Sequence, residues 1–222
     1  MRAAISGTAS SMAGSIADDA FWPRVVDLAS RAYRDADGHA RRFARAKLGR
    51  DRVFRHLIEH GLIAPDTRVL DLGCGQGLLA SALQVAERLA RQDRWPARWA
   101  APPLGVRVTG IDPLAHDIER AVAAARELGG SAHFIHGDMR TAPLPESDVV
   151  AFIDTLHYLA PAEQDAVLAR ACGALADGGC LLLRVHDGAA PLRMRFGLAV
   201  DRVTMLLHGG GFGRVHGRTL EG

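Results

Sequence analysis

Residues 68–77 of this 222-residue chain read RVLDLGCGQG, and no other stretch constrains the fold so strongly. Val69 to Leu72 is a short run rich in strand formers, so it reads as a buried strand. Gly73, Gly75 and Gly77 then alternate, and residues 78–89 follow with helical spacing. The unit is strand, glycine loop, helix. In that geometry bare backbone can approach a ligand and a helix N-terminus can face it. A side chain in the loop would block the approach or forbid the positive φ angles of the turn. An ordinary tight turn has the same outline, so the glycines alone do not fix a ligand. Asp71 adds the missing information. It ends the strand at the carboxyl edge, where open α/β sheets bind ligands. A dinucleotide loop of the form G-x-G-x-x-G offers pyrophosphate a helix dipole, and a carboxylate there would repel it. The order acid-x-G-x-G-x-G suits a ligand with a cationic end.

Further strands follow at intervals with helical stretches between them. Residues 107–111 end at Asp112, the run HFIH ends at Gly137-Asp138-Met139, residues 148–153 end at Asp154, and CLLLRVHD is a fifth strand. Strand–helix alternation gives a parallel sheet with helices on both faces. The length suits one such domain with a small helical cap, and 48% hydrophobic residues support a sizeable core. The expected division is a disordered N-terminus over 1–17, a helical cap over 18–64 and the α/β core over 65–222. In the cap, Asp18 and Asp19 are placed to start a helix over 20–34. A second helix covers 39–48, and a third runs from Asp51 as N-cap to the stop at Gly61. The insertion RQDRWPARWAAPPLG, with Trp95, Trp99 and three prolines, reads as a rigid loop folded back on the surface; walling a substrate pocket is the second reading.

A net charge of +2 argues neither for nor against a polyanionic partner, and no nucleic acid is expected. Arg41, Arg42, Arg45, Lys47, Arg50, Arg52 and Arg55 face one acid, Asp51, in the same run. Such a run is either a solvated helical face or an electropositive lid for an anionic substrate or acidic carrier protein. The three cysteines lie far apart without metal-ligand spacing, so no metal is expected and a reducing cytoplasmic setting fits. No stretch approaches the ~20 apolar residues of a membrane span, and the first residues lack a signal-peptide core.

An acid closing the second strand, Asp112, is placed to bind ribose hydroxyls. Pro113 at the first helical position also fits Asp112 as a helix cap. The ordered set Asp71, Gly73, Gly75, Gly77, Asp112, Asp138 and Asp154 resembles class I S-adenosylmethionine (SAM)-dependent methyltransferases of the small-molecule type, from about Asp51 to Asp187. The resemblance implies a Rossmann-like fold with SAM as cofactor. In that family the acid at Asp71 lies near the methionine ammonium. An acid at Asp138 accepts from the adenine amino group, and Met139 packs on the ring. Cys74 sits in the cofactor loop, where a small residue fits. Asp154 emerges beside the cofactor, and His157 and Tyr158 follow where the strand-four loop faces the methyl group.

The resemblance makes His157 the expected base and Tyr158 a positioning group, with a small-molecule or acyl-carrier-bound acceptor. A histidine serving structure alone is the competing account. Two other functions fit the outline: a nicotinamide-dependent oxidoreductase, against which Asp71 before Gly73 argues, and a non-catalytic SAM-fold binding protein. The family has two more strands beyond the fifth, and this sequence offers no candidate for either. Residues 181–185 would then form an exposed apolar edge, so the natural protein is expected to continue past Gly222. The oligomeric state is not legible.

Overall fold

A computed structural model describes residues 8–184. The sequence after the fifth strand reads as a helix over 192–207, a glycine-rich loop at 209–213 and a final RTLEG, and these lie outside the described residues.

Five strands form one sheet in the order β3-β2-β1-β4-β5, a Rossmann-like arrangement: β1 Arg68–Leu72, β2 Arg107–Asp112, β3 Ala132–His136, β4 Ser147–Ile153 and β5 Leu175–Arg184. β4 pairs parallel to β1 and to β5. The chain runs from β1 outward to β2 and β3, then returns to β4 on the other side of β1. The carboxyl ends of β1 and β4 therefore flank the switch point, where sheets of this type bind ligands. Among the described residues, six helices connect or precede the strands: α1 Thr8–Arg31, α2 Gly38–Arg50, α3 Arg52–Glu59, α4 Leu78–Ala90, α5 Ala115–Leu128 and α6 Pro161–Gly173.

Two expectations need correction. α1 begins at Thr8, within the stretch read as disordered, so Asp18 and Asp19 lie inside the helix and do not cap it. β5 begins at Leu175, ahead of the CLLLRVHD run expected to form it, and takes in Asp177-Gly178-Gly179. The pairing of β4 with β5 jumps from Ser147↔Leu175 to Val149↔Cys180, so these residues form a bulge, with Gly178 at φ +76°.

The chain divides into two compact, interleaved units. One gathers the residues up to Thr67 with Gln76–Val108 and Glu119–His133; the other gathers Arg68–Gly75, Thr109–Ile118 and the residues from Phe134 on. In the first, Asp51 caps α3 as expected, accepting from the Val53 N–H at 3.1 Å. The Trp/Pro insertion folds back: Phe21 meets Trp95 and Trp99 edge-on, with ring centroids 5.2 and 4.9 Å away. Edge-on pairs of this kind stabilise by about 0.5–1.5 kcal/mol each beyond their buried area. The fully buried Tyr33 donates to the Gln76 carbonyl at 2.7 Å, and the Gln76 amide donates to the Ala40 carbonyl at 3.0 Å. Of the seven bases between 41 and 55, Arg45 pairs with Asp27, Lys47 with Asp51 and Arg55 with Glu59. Arg41, Arg42, Arg50 and Arg52 are exposed.

The core of the second unit is built from Leu70, Leu72, Ile111, Val150, Phe152 and Val167, with Met139 and Leu156. β1 and β4 are buried almost throughout, as central parallel strands must be. β5 is half-exposed and Leu183 is 47% exposed.

Candidate active site

The site belongs to the second unit. β1 carries Asp71 to the carboxyl edge opposite Ala151 of β4, and its side chain is buried. Burial in apolar surroundings pushes its carboxyl up to about 7, with the charge of Asp112 adding to the effect. The chain then turns through Gly73 at φ +76° and Gly75 at φ +52°. Gly73 has no room for a side chain, because a Cβ would lie 2.3 Å from Thr155 Cγ2. Gly75 is open, with nothing within 4 Å of such an atom. One loop position is thus closed by protein, and the next presents bare backbone.

β2 is tied to this loop. The Ile111 carbonyl accepts from the N–H of Gly73 at 2.8 Å and of Cys74 at 3.2 Å. Asp112 Oδ2 accepts the Gly75 N–H at 2.8 Å, while Oδ1 accepts the Leu114 N–H at 2.9 Å. The carboxylate therefore fixes the glycine loop and caps the turn into α5 through Pro113. Each oxygen takes one donor, which leaves lone pairs on both. Burial raises the Asp112 carboxyl above its ordinary range against these hydrogen bonds. Cys74 is buried, with its Sγ directed at the Gly75 carbonyl. Burial, followed by the charges of Asp71 and Asp112, pushes its thiol well up, so it stays a neutral thiol.

Asp138 follows β3 in an ionised state, because the Arg140 guanidinium beside it holds its carboxyl below the usual range. Met139 is buried in the sheet core. Asp154 ends β4 in the left-handed region at φ +58°, and its Oδ2 accepts from Arg184 Nη1 at 3.0 Å. His157 and Tyr158 occupy a one-turn 3-10 helix, Leu156–Tyr158, with ring centroids 4.1 Å apart; His157 is buried. Pro161 opens α6, and the Glu163 carboxylate accepts from the Ala160 N–H at 2.9 Å.

The structure thus brings Asp71, Gly73, Cys74, Gly75 and Asp112 together through β1, β2 and their loop. Asp138, Met139, Asp154, His157 and Tyr158 sit at or just beyond the ends of β3 and β4. Gly77 is at φ +76° and opens α4 in the first unit. Three residues escaped sequence reading. Thr155 anchors the loop by donating to the Leu72 carbonyl at 3.1 Å, and Arg140 and Arg184 pair the acids of β3 and β4. Only Arg140 left a signal, as Asp-x-Arg, where the Arg140 N–H folds back onto Asp138. The site thus holds a buried acid without a basic group among its charge partners, next to bare glycine backbone.

Comparison with known proteins bears on the same segments. The methyltransferase domain family matches residues 31–216. Carboxy-S-adenosyl-L-methionine synthase of Pseudomonas syringae is 31% identical over 125 residues, 54% of this chain and 45% of that protein. The Salmonella arizonae protein of the same name is 27% identical over 129 residues, 57% of this chain and 47% of that one. The chain thus aligns with about half the length of these curated relatives. Among solved structures, a SAM-dependent methyltransferase from Geobacter sulfurreducens in complex with S-adenosyl-L-homocysteine is 28% identical, covers 58% of this chain and 45% of that one, and has a TM-score of 0.41. With the family matched over most of its length, the chain belongs to the class I SAM-dependent methyltransferases.

Proposed function

We propose that the protein transfers a methyl group from SAM to a small-molecule or carrier-bound acceptor. The observation that carries this reading is the buried Asp71 beside the open Gly75 backbone at the sheet's switch point. SAM supplies an electrophilic methyl group on a sulfonium whose departure leaves a neutral thioether. The protein's task is then alignment of acceptor and methyl. Asp71 receives the ammonium of the methionine part, Gly73 and Gly75 let the chain approach it, and Asp112 uses its remaining lone pairs for ribose hydroxyls. Cys74 and Pro113 line the loop, Asp138 and Met139 meet adenine, and Asp154 borders the methyl site. His157 takes the proton of a hydroxyl or acidic C–H acceptor, and Tyr158 positions it. The exposed Arg41, Arg42, Arg50 and Arg52 suit an acidic carrier.

Calorimetry with SAM and with NADH is the first test. SAM is expected to bind and NADH is not; the reverse would favour an oxidoreductase. With an acceptor in hand, His157→Ala should lower the rate by ~10²–10⁴ if His157 is the base. A loss below ~10-fold with SAM binding intact would leave it a packing residue. The carboxy-SAM synthase relatives favour a second reading, in which the cofactor itself is altered. Mass spectrometry of the cofactor after turnover separates the two: S-adenosylhomocysteine marks methyl transfer, and carboxylated SAM marks the alternative.

A further inference from the structure

Three donors converge on the Asp138 carboxylate, and all come from Arg140. The backbone N–H donates to Oδ1 at 2.9 Å. Nε is shared between Oδ1 and Oδ2 at 3.0 and 2.9 Å, and Nη2 donates to Oδ2 at 2.5 Å. Nη1 reaches the other way, to Glu163 Oε1 at 2.6 Å. Glu163 closes the chain by accepting the Ala160 N–H at the start of α6. A single guanidinium thus links the turn after β3 to the residue two beyond Tyr158. Its planar fork makes the link directional, which a lysine could not reproduce.

The count of donors matters. A carboxylate offers about four lone-pair positions. Arg140 supplies three donors, with Nε shared between both oxygens, which leaves Asp138 able to accept at most one more directed donor.

We propose that Arg140 is a positioning residue that holds the Asp138 carboxylate in one orientation, with a single acceptor position left for the adenine amino group of the cofactor. The inference rests on the reading of SAM as the ligand and of Asp138 as its adenine contact. Selectivity for an amino-bearing purine then comes from the Asp138–Arg140 pair, with Glu163 fixing the far end of the guanidinium.

The test is calorimetry with S-adenosylhomocysteine and with its S-inosyl analogue, whose ring carries a carbonyl acceptor where adenine carries the amino donor. The wild-type chain should prefer the adenosyl ligand by ~10–100-fold, the range for losing a charge-assisted hydrogen bond. In Arg140→Ala that preference should shrink to a few-fold. Arg140→Lys keeps the charge without the fork, so its preference should fall between the two. If either folded Arg140 variant keeps the full preference, Arg140 is only an ion partner and the inference fails. Should Arg140→Ala not fold, Arg140→Lys decides alone. If the wild-type chain binds neither ligand, the cofactor reading itself is overturned and takes the inference with it; binding of both without preference overturns only the role of Asp138 and Arg140.

Discussion

Four acids stand at or just past the ends of four strands, yet the adjacent β1 and β2 treat theirs in the opposite way from β3 and β4, which flank them. Asp71 and Asp112, on β1 and β2, are buried and held up by desolvation, with backbone N–H groups as the hydrogen-bond partners of Asp112. Asp138 and Asp154, after β3 and β4, each hold an arginine: Arg140 and Arg184. The first pair is costly to ionise in the absence of a ligand, and the second is already neutralised. A buried acid without a basic neighbour is a poor stabilising element and a good receptor for a cation. On the proposed reading, the cationic end of the ligand belongs at β1 and β2, and the orientation of neutral groups at the flanking β3 and β4.

The largest effect should come from removing the Asp71 charge while keeping its shape. Asp71→Asn should weaken SAM binding by ~10²-fold, as expected for truncating one member of a buried charge pair. The same substitution should raise the melting temperature at pH 8, because it removes a desolvated charge and its repulsion with Asp112. Asp138→Asn should do the opposite to stability, since it leaves Arg140 with Glu163 alone. Paired melting curves and SAM titrations of both variants check this. If Asp71→Asn lowers stability and keeps affinity, Asp71 is a structural acid and the comparison fails.

A pH series addresses the same contrast with the native chain. Between 3.8 and about 7, folded Asp71 holds a proton that the unfolded chain has lost. By linkage its contribution to stability is fully present below 3.8, declines as pH rises through that window, and is lost above about 7. Asp138 works the other way: its folded carboxyl is depressed, so its contribution is present above the ordinary aspartate range and is lost as pH falls below it. Binding of a cation at Asp71 favours the ionised form. SAM affinity should therefore rise by up to ~10-fold per pH unit from pH 5.5, level off near 7, and release a proton in the rising part. Calorimetry in two buffers of different ionisation enthalpy reads that proton directly. In Asp71→Asn the slope should vanish; a wild-type affinity flat from pH 5.5 to 8.5 would place the cationic end elsewhere.

Much of the β1 part of the site was legible in the sequence because its pieces are consecutive: a strand, an acid, glycines at fixed offsets, a helix. Gly73 and Gly75 have positive φ, which a sequence pattern reports well. The partners that follow β4 were not legible. Arg184 meets Asp154 only because β5 lies beside β4, and Thr155 anchors Leu72 only because β4 lies beside β1. Such pairings depend on strand order and register, which no local pattern encodes. The caps divide in the same way. Asp51 follows the end of α2 and caps α3, whereas Asp18 and Asp19 follow alanines and serines that are themselves compatible with a helix, so α1 runs through them. At Asp177-Gly178-Gly179 the ladder with β4 resumes after a bulge, and tertiary pairing overrides local turn chemistry.

The smallest effect separates conformation from charge at Asp154. Its φ of +58° is in the region that costs a non-glycine residue about 1–2 kcal/mol, a strain of the kind found at functional sites. The Arg184 pair offsets part of that cost, with Asp154 largely covered and Arg184 about one-third exposed, and a partly exposed pair contributes no more than about 1 kcal/mol. Asp154→Ala removes the pair and keeps the strain, so it should destabilise by about 1 kcal/mol. Asp154→Gly removes both, so it should leave stability within about 0.5 kcal/mol of wild type, with its greater unfolded-state freedom opposing the relief of strain. Urea denaturation of both variants measures the difference at once. Equal loss in the two would mean that the carboxylate, and not the backbone, sets the cost at this strand end.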